Sequence, residues 1–397
     1  MGFSDTLSSM FLLINSLALF TLTWMLIKDV LLNFMLHETL IVSTVFHLSL
    51  VLSAVVGALF NRKLREKKIL SLWIMLGAST YLLSPIIIDK MLFKLIIAAL
   101  TLGVSVGTGI PICLAFFADY TDIKKRGLAG SAIFFTTQVF TVLIYSSMSN
   151  LLITEKFLIV GIWRLLGVLG VFFYVPIRAL PGEKGRHTLL RVVSDRAFIL
   201  YFIPWLLFCL INFVEAPLLE TFLGPALFDI YLIVGIITNG VFAFLGGIIC
   251  DFKGRKTTSI ISFILLGISY ALLSIFQGAH FSMYVFMLLE GMAWGMLYVV
   301  FVFVIWGDLS ERGIREKYYL IGSMPYLLSS WIGTAVKPVT ENIPIYTSFS
   351  LTSFFLFLAV LPLLYAPETL PEKMLKDREL RSYIEKAKRV REKFTKG

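Results

Sequence analysis

The sequence predicts an all-α polytopic membrane protein, with twelve transmembrane helices arranged as two six-helix pseudo-symmetric bundles. Three observations predict it. The 397-residue chain has a mean hydropathy of +0.87 with 15% charged residues, where a soluble domain carries about a quarter. Its apolar runs recur at about 20 residues or more, enough for a helix to cross about 30 Å of hydrocarbon. Short charged signatures recur at a nearly constant offset: 190 residues from Gly57 to Gly247, 189 from Asp119 to Asp308 and 191 from Pro176 to Pro367. A membrane unit repeated with a basic hinge is the usual trace of a secondary transporter.

In chain order the apolar runs lie near 9–34, 38–60, 69–88, 91–118, 127–150 and 156–178, then 197–221, 227–250, 257–276, 279–307, 316–338 and 344–366. Lipid offers the backbone no hydrogen bonds, so each run must be helical. The domain reading follows: an N-terminal bundle 1–178, a cytoplasmic linker 179–196, a C-terminal bundle 197–370 and a basic tail 371–397. Pro181-Gly182 marks a turn in the linker, and the leucines and valines after it suit a short amphipathic helix on the membrane surface.

The net charge of +10 is a topology signal. Of 35 Lys and Arg, 29 lie in the loops 61–68, 119–127, 178–196, 251–256 and 308–317 and in the tail. The positive-inside rule puts those loops and both termini in the cytoplasm of a multi-pass cell-membrane protein. No nucleic-acid partner is expected. No basic residue precedes Lys28, so the basic region of a signal peptide is missing. Cys113, Cys209 and Cys250 and the four histidines show no disulfide or metal-ligand spacing. No Gly-rich phosphate loop with its lysine appears, and no nucleophile–base set, so neither an enzyme nor a cofactor is expected.

The loops carry the most specific signal. Gly247, Asp251, Gly254, Arg255 and Lys256 follow the eighth run, and Gly57, Asn61, Arg62 and Arg65 follow the second, with Asn61 in place of the acid. Asp119 precedes Arg126 by seven residues, as Asp308 precedes Arg315, and Pro367-Glu368-Thr369 closes the last run. In these residues the chain resembles the major facilitator superfamily, and its loops are most similar to the sugar porter branch. There the G-x-x-x-D-x-x-G-R-K/R, E-x6-R and P-E-T patterns stand at these positions, with Asp for Glu in the second. Gly103 and Gly107 match the glycine spacing of that branch's fourth helix. The glutamine-rich motif of its seventh helix is replaced by Cys209-Leu-Ile-Asn-Phe-Val-Glu-Ala-Pro217.

Loop acids and bases at helix ends can pair across neighbouring helices in one conformation and part in another. Partly desolvated pairs resist separation more than exposed ones, which contribute about 0–1 kcal/mol. Asp251, with Arg255 or Arg315 as partner, is the expected latch of a cytoplasmic gate that also takes in Asp119, Arg126, Asp308 and Glu368.

The resemblance implies a substrate cavity between the halves, lined by helices one, four, seven and ten. These carry Asp29, Lys94, Glu215 and Glu290, and ionisable groups inside a membrane are functional candidates by default. At 1.5 Å per residue Glu290 stands about 27 Å from Asp308, within the span, and Glu215 lies in the outer third beside Pro217, a predicted kink. Either carboxylate could take up a proton on one side and release it on the other. Arg164 either snorkels or turns inward to hold an anion. His47, Asn239, Asn212, Gln138 and Trp294, with Tyr298, Tyr326 and Trp331, complete a polar and aromatic set.

The expected function is alternating-access transport by a monomer, most simply proton-coupled uptake of a small organic solute, a sugar or an organic acid. Efflux antiport, uniport and a non-transporting solute sensor are the other readings. The expected partners are a small-molecule substrate, protons and the lipid bilayer.

Overall fold

The computed structural model describes residues 3–32, 34–60, 67–87, 91–172, 189–277, 279–340 and 343–371. Twelve long helical segments follow the predicted order. They are α1 (Phe3–Leu31), α2 (Leu36–Leu59), α3 (Lys67–Ile87), α4 (Leu92–Tyr120), α5 (Arg126–Ser147) and α6 (Ile153–Phe172). The second set is α7 (Arg196–Gly224), α8 (Ile230–Lys253), α9 (Arg255–Ile275), α10 (Phe281–Leu309), α11 (Arg315–Thr340) and α12 (Ile345–Tyr365). Ten are long and apolar enough to cross a membrane. The other two, α6 and α11, are as long but more polar: Glu155, Lys156 and Arg164 lie on α6, and Arg315, Glu316, Lys317 and Lys337 on α11.

Local sequence explains the breaks. α7 and α8 form a continuous helical run whose one non-helical residue is Gly224, at φ 71°, a conformation with little cost only for glycine. The sequence pointed instead to Pro217, but the helix runs through it. The carbonyl of Phe213, which Pro217 cannot bond, faces α11, where a Cβ on Gly333 would lie 2.8 Å from it. Gly254, at φ 109°, separates α8 from α9. α4 is interrupted at Thr108–Gly109 and restarts with Pro111 in its first turn, a position that lacks a helical acceptor in any case. α10 contains a π-helical stretch, Val299–Val304. Of the linker, a five-residue helix, Leu189–Val193, is described, with Val192 buried. Asp195 then caps α7, and linker residues 179–188 and the tail beyond residue 371 lie outside the described residues.

The packing repeats. α1 lies on α6, α2 on α4 and α3 on α6, while α7 lies on α12, α8 on α10 and α9 on α12. Two seams join the halves, α2 against α11 and α5 against α8. They exchange when each helix of one half is replaced by its counterpart in the other. Glycines permit the tightest crossings. On α4, Gly103 and Gly107 face α2, with Gly107 against Leu50 O. On α10, Gly291 and Gly295 face Thr238 and Asn239 of α8 in the same manner. Lipid tails are as apolar as leucine, so membrane helices associate through such close van der Waals approach rather than through hydrophobic exclusion.

Gly107→Val and Gly295→Val should each lower the melting temperature of the purified protein by several degrees, since overpacking typically costs about 1–3 kcal/mol. Gly235→Ala, where a Cβ meets nothing within 4 Å, should leave it unchanged. Equal melting curves for all three in detergent would remove the glycine crossings from the stability of the fold.

Candidate functional site

The charged loops meet at one end of the molecule, where α4 gives way to α5, α8 to α9 and α10 to α11. Asp308, at the end of α10, is enclosed there. Its Oδ1 pairs with Arg126 Nη1 of α5, and its Oδ2 accepts from Arg255 Nε of α9 at 2.8 Å. Thr369 Oγ1 also donates to Oδ2, at 3.4 Å. The second aspartate of the repeat is held from the opposite half: Arg315 Nη1 of α11 donates to Asp119 Oδ1 at 2.5 Å and to Ala118 O at 2.9 Å. The two acid–base patterns are therefore crossed. The arginine seven residues after each aspartate pairs with the aspartate of the other half.

The arginines also close helix ends. Arg126 Nη2 donates to Ala118 O at 2.7 Å, and Arg255 donates to Cys250 O at 2.8 Å and Ile123 O at 2.5 Å. Asp251, at the end of α8, accepts from Gly127 N and Leu128 N, both at 2.9 Å. Its carboxylate thus caps the first turn of α5 from the other half, where the helix dipole favours negative charge. Gly127 and Gly247 bring the two helices together, since a Cβ on either would lie 2.7 Å from the other's carbonyl oxygen. Glu368 performs the same capping for α9, accepting from Arg255 N at 2.8 Å and Lys256 N at 3.1 Å. A side chain on Gly254 would collide with that carboxylate. Lys256 Nζ donates to Leu364 O at 2.7 Å.

Of the two partners the sequence offered Asp251, Arg255 lies 3.4 Å from Oδ1, and Arg315 is engaged by Asp119. Gly57 packs against the Thr108 carbonyl of α4, inside the first half and away from the charges. Asn61, Arg62 and Arg65 lie outside the described residues.

Aromatic pairs add further contacts between the halves. Phe117 meets Phe303 at 5.7 Å, Phe134 stacks on Tyr298 at 4.2 Å, Phe20 faces Tyr326 at 6.1 Å, and Tyr298 and Tyr326 touch edge to face at 5.3 Å. The first three pairs each join one half to the other. In a chain with 35 Phe and 15 Tyr, no spacing singled out Phe117, Phe134 or Phe303.

The groups deeper in the span divide between the halves. His47 of α2 bridges them: its Nδ1 bonds Ser43 O at 2.8 Å, and its Nε2 bonds Ser330 Oγ of α11 at 2.9 Å. A turn away Trp331 Nε1 donates to Thr44 Oγ1 at 2.9 Å. Glu290 is buried in the second half, where Tyr231 OH donates to its Oε1 at 3.1 Å. Glu215 turns toward α12 and accepts from Ser348 at 2.6 Å and Thr352 at 2.5 Å, leaving Oε2 without a partner. Trp294 Nε1 donates to Asn212 Oδ1 at 3.0 Å. Asn239 faces Gly291 of α10, and Gln138 is half-buried on α5. In the first half Asp29 pairs with Lys156 of α6 at 2.6 Å, a partner other than its neighbour Lys28. Arg164 does not snorkel. It is fully enclosed among α1, α3 and α4.

A family model described as Major Facilitator Superfamily matches residues 6–313. Among solved structures, the human organic anion transporter MFSD10 (TETRAN) is 13% identical, with a TM-score of 0.70 over 91% of this chain and 99% of that one. The E. coli fucose:proton symporter FucP is 13% identical, with a TM-score of 0.68 over 92% and 98%. The proton:xylose symporter XylE, bound to 6-bromo-6-deoxy-D-glucose, is 16% identical, with a TM-score of 0.66 over 92% and 96%. At such identities the likeness is one of fold. No curated protein matches the sequence.

Charge exchange tests the crossed pairing. Asp119→Arg alone should weaken the seam by about 3–5 kcal/mol, as loss of one partner of a buried pair does. Adding Arg315→Asp should recover most of that loss, whereas adding Arg126→Asp should deepen it. Spin labels at Asp122 and Glu311 report the result as a distance between the halves; recovery by the Arg126 exchange instead would mean that the pairs lie within each half.

Proposed function

We propose, for a chain that belongs to the major facilitator superfamily, a proton-coupled carrier that takes up a small organic solute by alternating access between its two halves. Membership makes it a secondary transporter and not an enzyme, and its apolar helices fit a multi-pass membrane protein. The observation that carries the reading is the seam at the basic end. There both halves contribute charges to shared ion pairs, and aromatic pairs on the same helices also join the halves. Contacts of this kind can be made and broken as units. Burial of the ions makes the closed state definite, since a buried charge without its partner costs several kcal/mol.

The positive-inside rule makes the basic end cytoplasmic. On that reading the molecule stands closed toward the cytoplasm of a cell-membrane protein with both termini inside. It works as a monomer, with bundles 1–178 and 197–370 joined by the linker 179–196. Glu290 is the favoured coupling group. It is buried near mid-span, its neighbour is a hydroxyl rather than a base, and it can change protonation without rupturing an ion pair. Glu215 is the second candidate, with two hydroxyl donors on one oxygen. Proton coupling draws support from two of the similar structures, which are titled proton symporters. The solute is a sugar or an organic acid: the loop motifs and those two neighbours favour the first, and the organic anion transporter the second.

Proteoliposomes screened with labelled sugars and organic acids, with and without an inward proton gradient, test the proposal. Uptake should rise with the gradient, and Glu290→Gln should lose that stimulation while retaining solute exchange across the membrane. Asp251→Ala should slow cycling more than it weakens binding. A wild-type protein indifferent to the gradient would rule out the coupling, and binding without flux would indicate a sensor.

A further inference from the structure

We propose that Trp294 of α10 is a positioning residue that reports the charge of Glu290 to α7, by moving one indole N–H between two acceptors. The inference rests on the carrier reading above, in which Glu290 takes up and releases the proton. Glu290 and Trp294 stand one turn apart on α10 (Phe281–Leu309), at a spacing that puts both on one helix face. Trp294 Nε1 donates to Asn212 Oδ1 of α7 at 3.0 Å. The Glu290 carboxylate, one turn back, is a second acceptor within reach of the same N–H. An indole has a single donor and no acceptor, so it serves one of the two fully only by leaving the other.

A hydrogen bond to a charged acceptor is about twice as strong as one between neutral groups. Ionised Glu290 therefore outcompetes the amide oxygen for the N–H. Protonated Glu290, which has an O–H of its own to donate, does not. The observed bond to Asn212 corresponds to the protonated state. The titratable groups around the carboxylate leave this competition intact. Tyr231 of α8 donates to Oε1 at 3.1 Å, and Tyr270 of α9 lies within electrostatic range of Glu290 and of Glu215 on α7. Among the described residues Glu290 forms no ion pair. The consequence of moving the indole can be followed outward. Its ring packs edge to face on Phe208 and Phe213 of α7, at 4.8 and 6.3 Å. Phe213 meets Tyr326 of α11 at 6.3 Å, and Tyr326 meets Phe20 of the first half at 6.1 Å. Packed side chains of this kind carry coupling when one element has two discrete arrangements, and the shared N–H supplies them. Asn212 is half-buried on α7, so the wall that loses or gains the bond belongs to a helix the carrier reading places at the cavity.

Two spectroscopic titrations of the purified full-length protein, with no solute present, test the relay. Isotope labelling of the indole nitrogens gives one N–H magnetic resonance for each of the seven tryptophans, and Trp294→Phe identifies the one that matters. Should that variant fail to fold, Asn212→Leu identifies the same resonance by removing its acceptor. Infrared difference spectra read the protonated Glu290 carboxyl as the band that Glu290→Gln removes. The Trp294 resonance should shift between acid and alkaline pH with the midpoint of that band. Glu290→Gln should hold it at its acid-side position throughout, and Asn212→Leu should displace the acid-side position while leaving the alkaline one. An indole that only packs against α7 would not follow the band. A Trp294 resonance that stays still while the Glu290 band titrates, or one that still titrates in Glu290→Gln, overturns the proposal and leaves proton coupling at Glu290 standing. A Glu290 band that does not titrate removes Glu290 as the coupling group, and the relay with it.

Discussion

Asp308 has two carboxylate oxygens and faces two arginines, one from each half of the chain. The closed end of the molecule depends on that arrangement. A carboxylate enclosed between helices must be fully paired, and here it is paired only when α5 and α9 stand on either side of it. Asp119 and Arg315 repeat the requirement across the pseudo-symmetry axis. Asp251 adds a third condition, since its two oxygens are satisfied by the first backbone N–H groups of α5. Hydrophobic exclusion contributes little between helices in lipid. Polar pairing and glycine-permitted approach therefore hold the two halves together, and each demands exact partners rather than general apolar contact.

Much of this was legible in the sequence. Twelve runs of sufficient length lead to twelve helices because lipid leaves the backbone no alternative, and the charged signatures fell at the helix ends where water permits them. The identity of the seam residues was legible too, since Asp119, Arg126, Asp251, Arg255, Asp308 and Arg315 all meet there. Their pairing was not. Asp119 and Arg126 are close in sequence, and nothing in a linear repeat says that each aspartate turns to the arginine of the other copy. Direction inside the bilayer was equally hidden. Glu215 and Glu290 both sit on helices expected to line the cavity, yet Glu215 turns toward Ser348 and Thr352 of α12. One residue along a helix turns a side chain by about 100°, so a position fixes depth far better than facing. The crossing glycines of α10, Gly291 and Gly295, repeat those of α4 but carry no charge to announce the repeat.

The halves match in backbone and differ in the charge they bury. Among the described residues, the first encloses Arg164 with an amide and an indole as its partners, and the second encloses Glu215 and Glu290 with hydroxyl partners. Each half therefore buries an ionisable group among neutral described partners, of opposite character in the two halves. Symmetry describes how the halves meet, and this asymmetry sets their interiors apart.

The glycine crossings have a mechanical consequence. α2 is locked to α4, and α8 to α10, along tightly packed faces, so each pair moves as one stiff arm. The arms touch the opposite half near mid-length, at His47–Ser330 and where Gly240 meets Phe135. On the carrier reading, those contacts would act as a fulcrum. A stiff arm pivoting about its middle converts separation at one end into approach at the other, with nearly equal travel. Both ends could then open together only if an arm bent, and the close crossings oppose that bending.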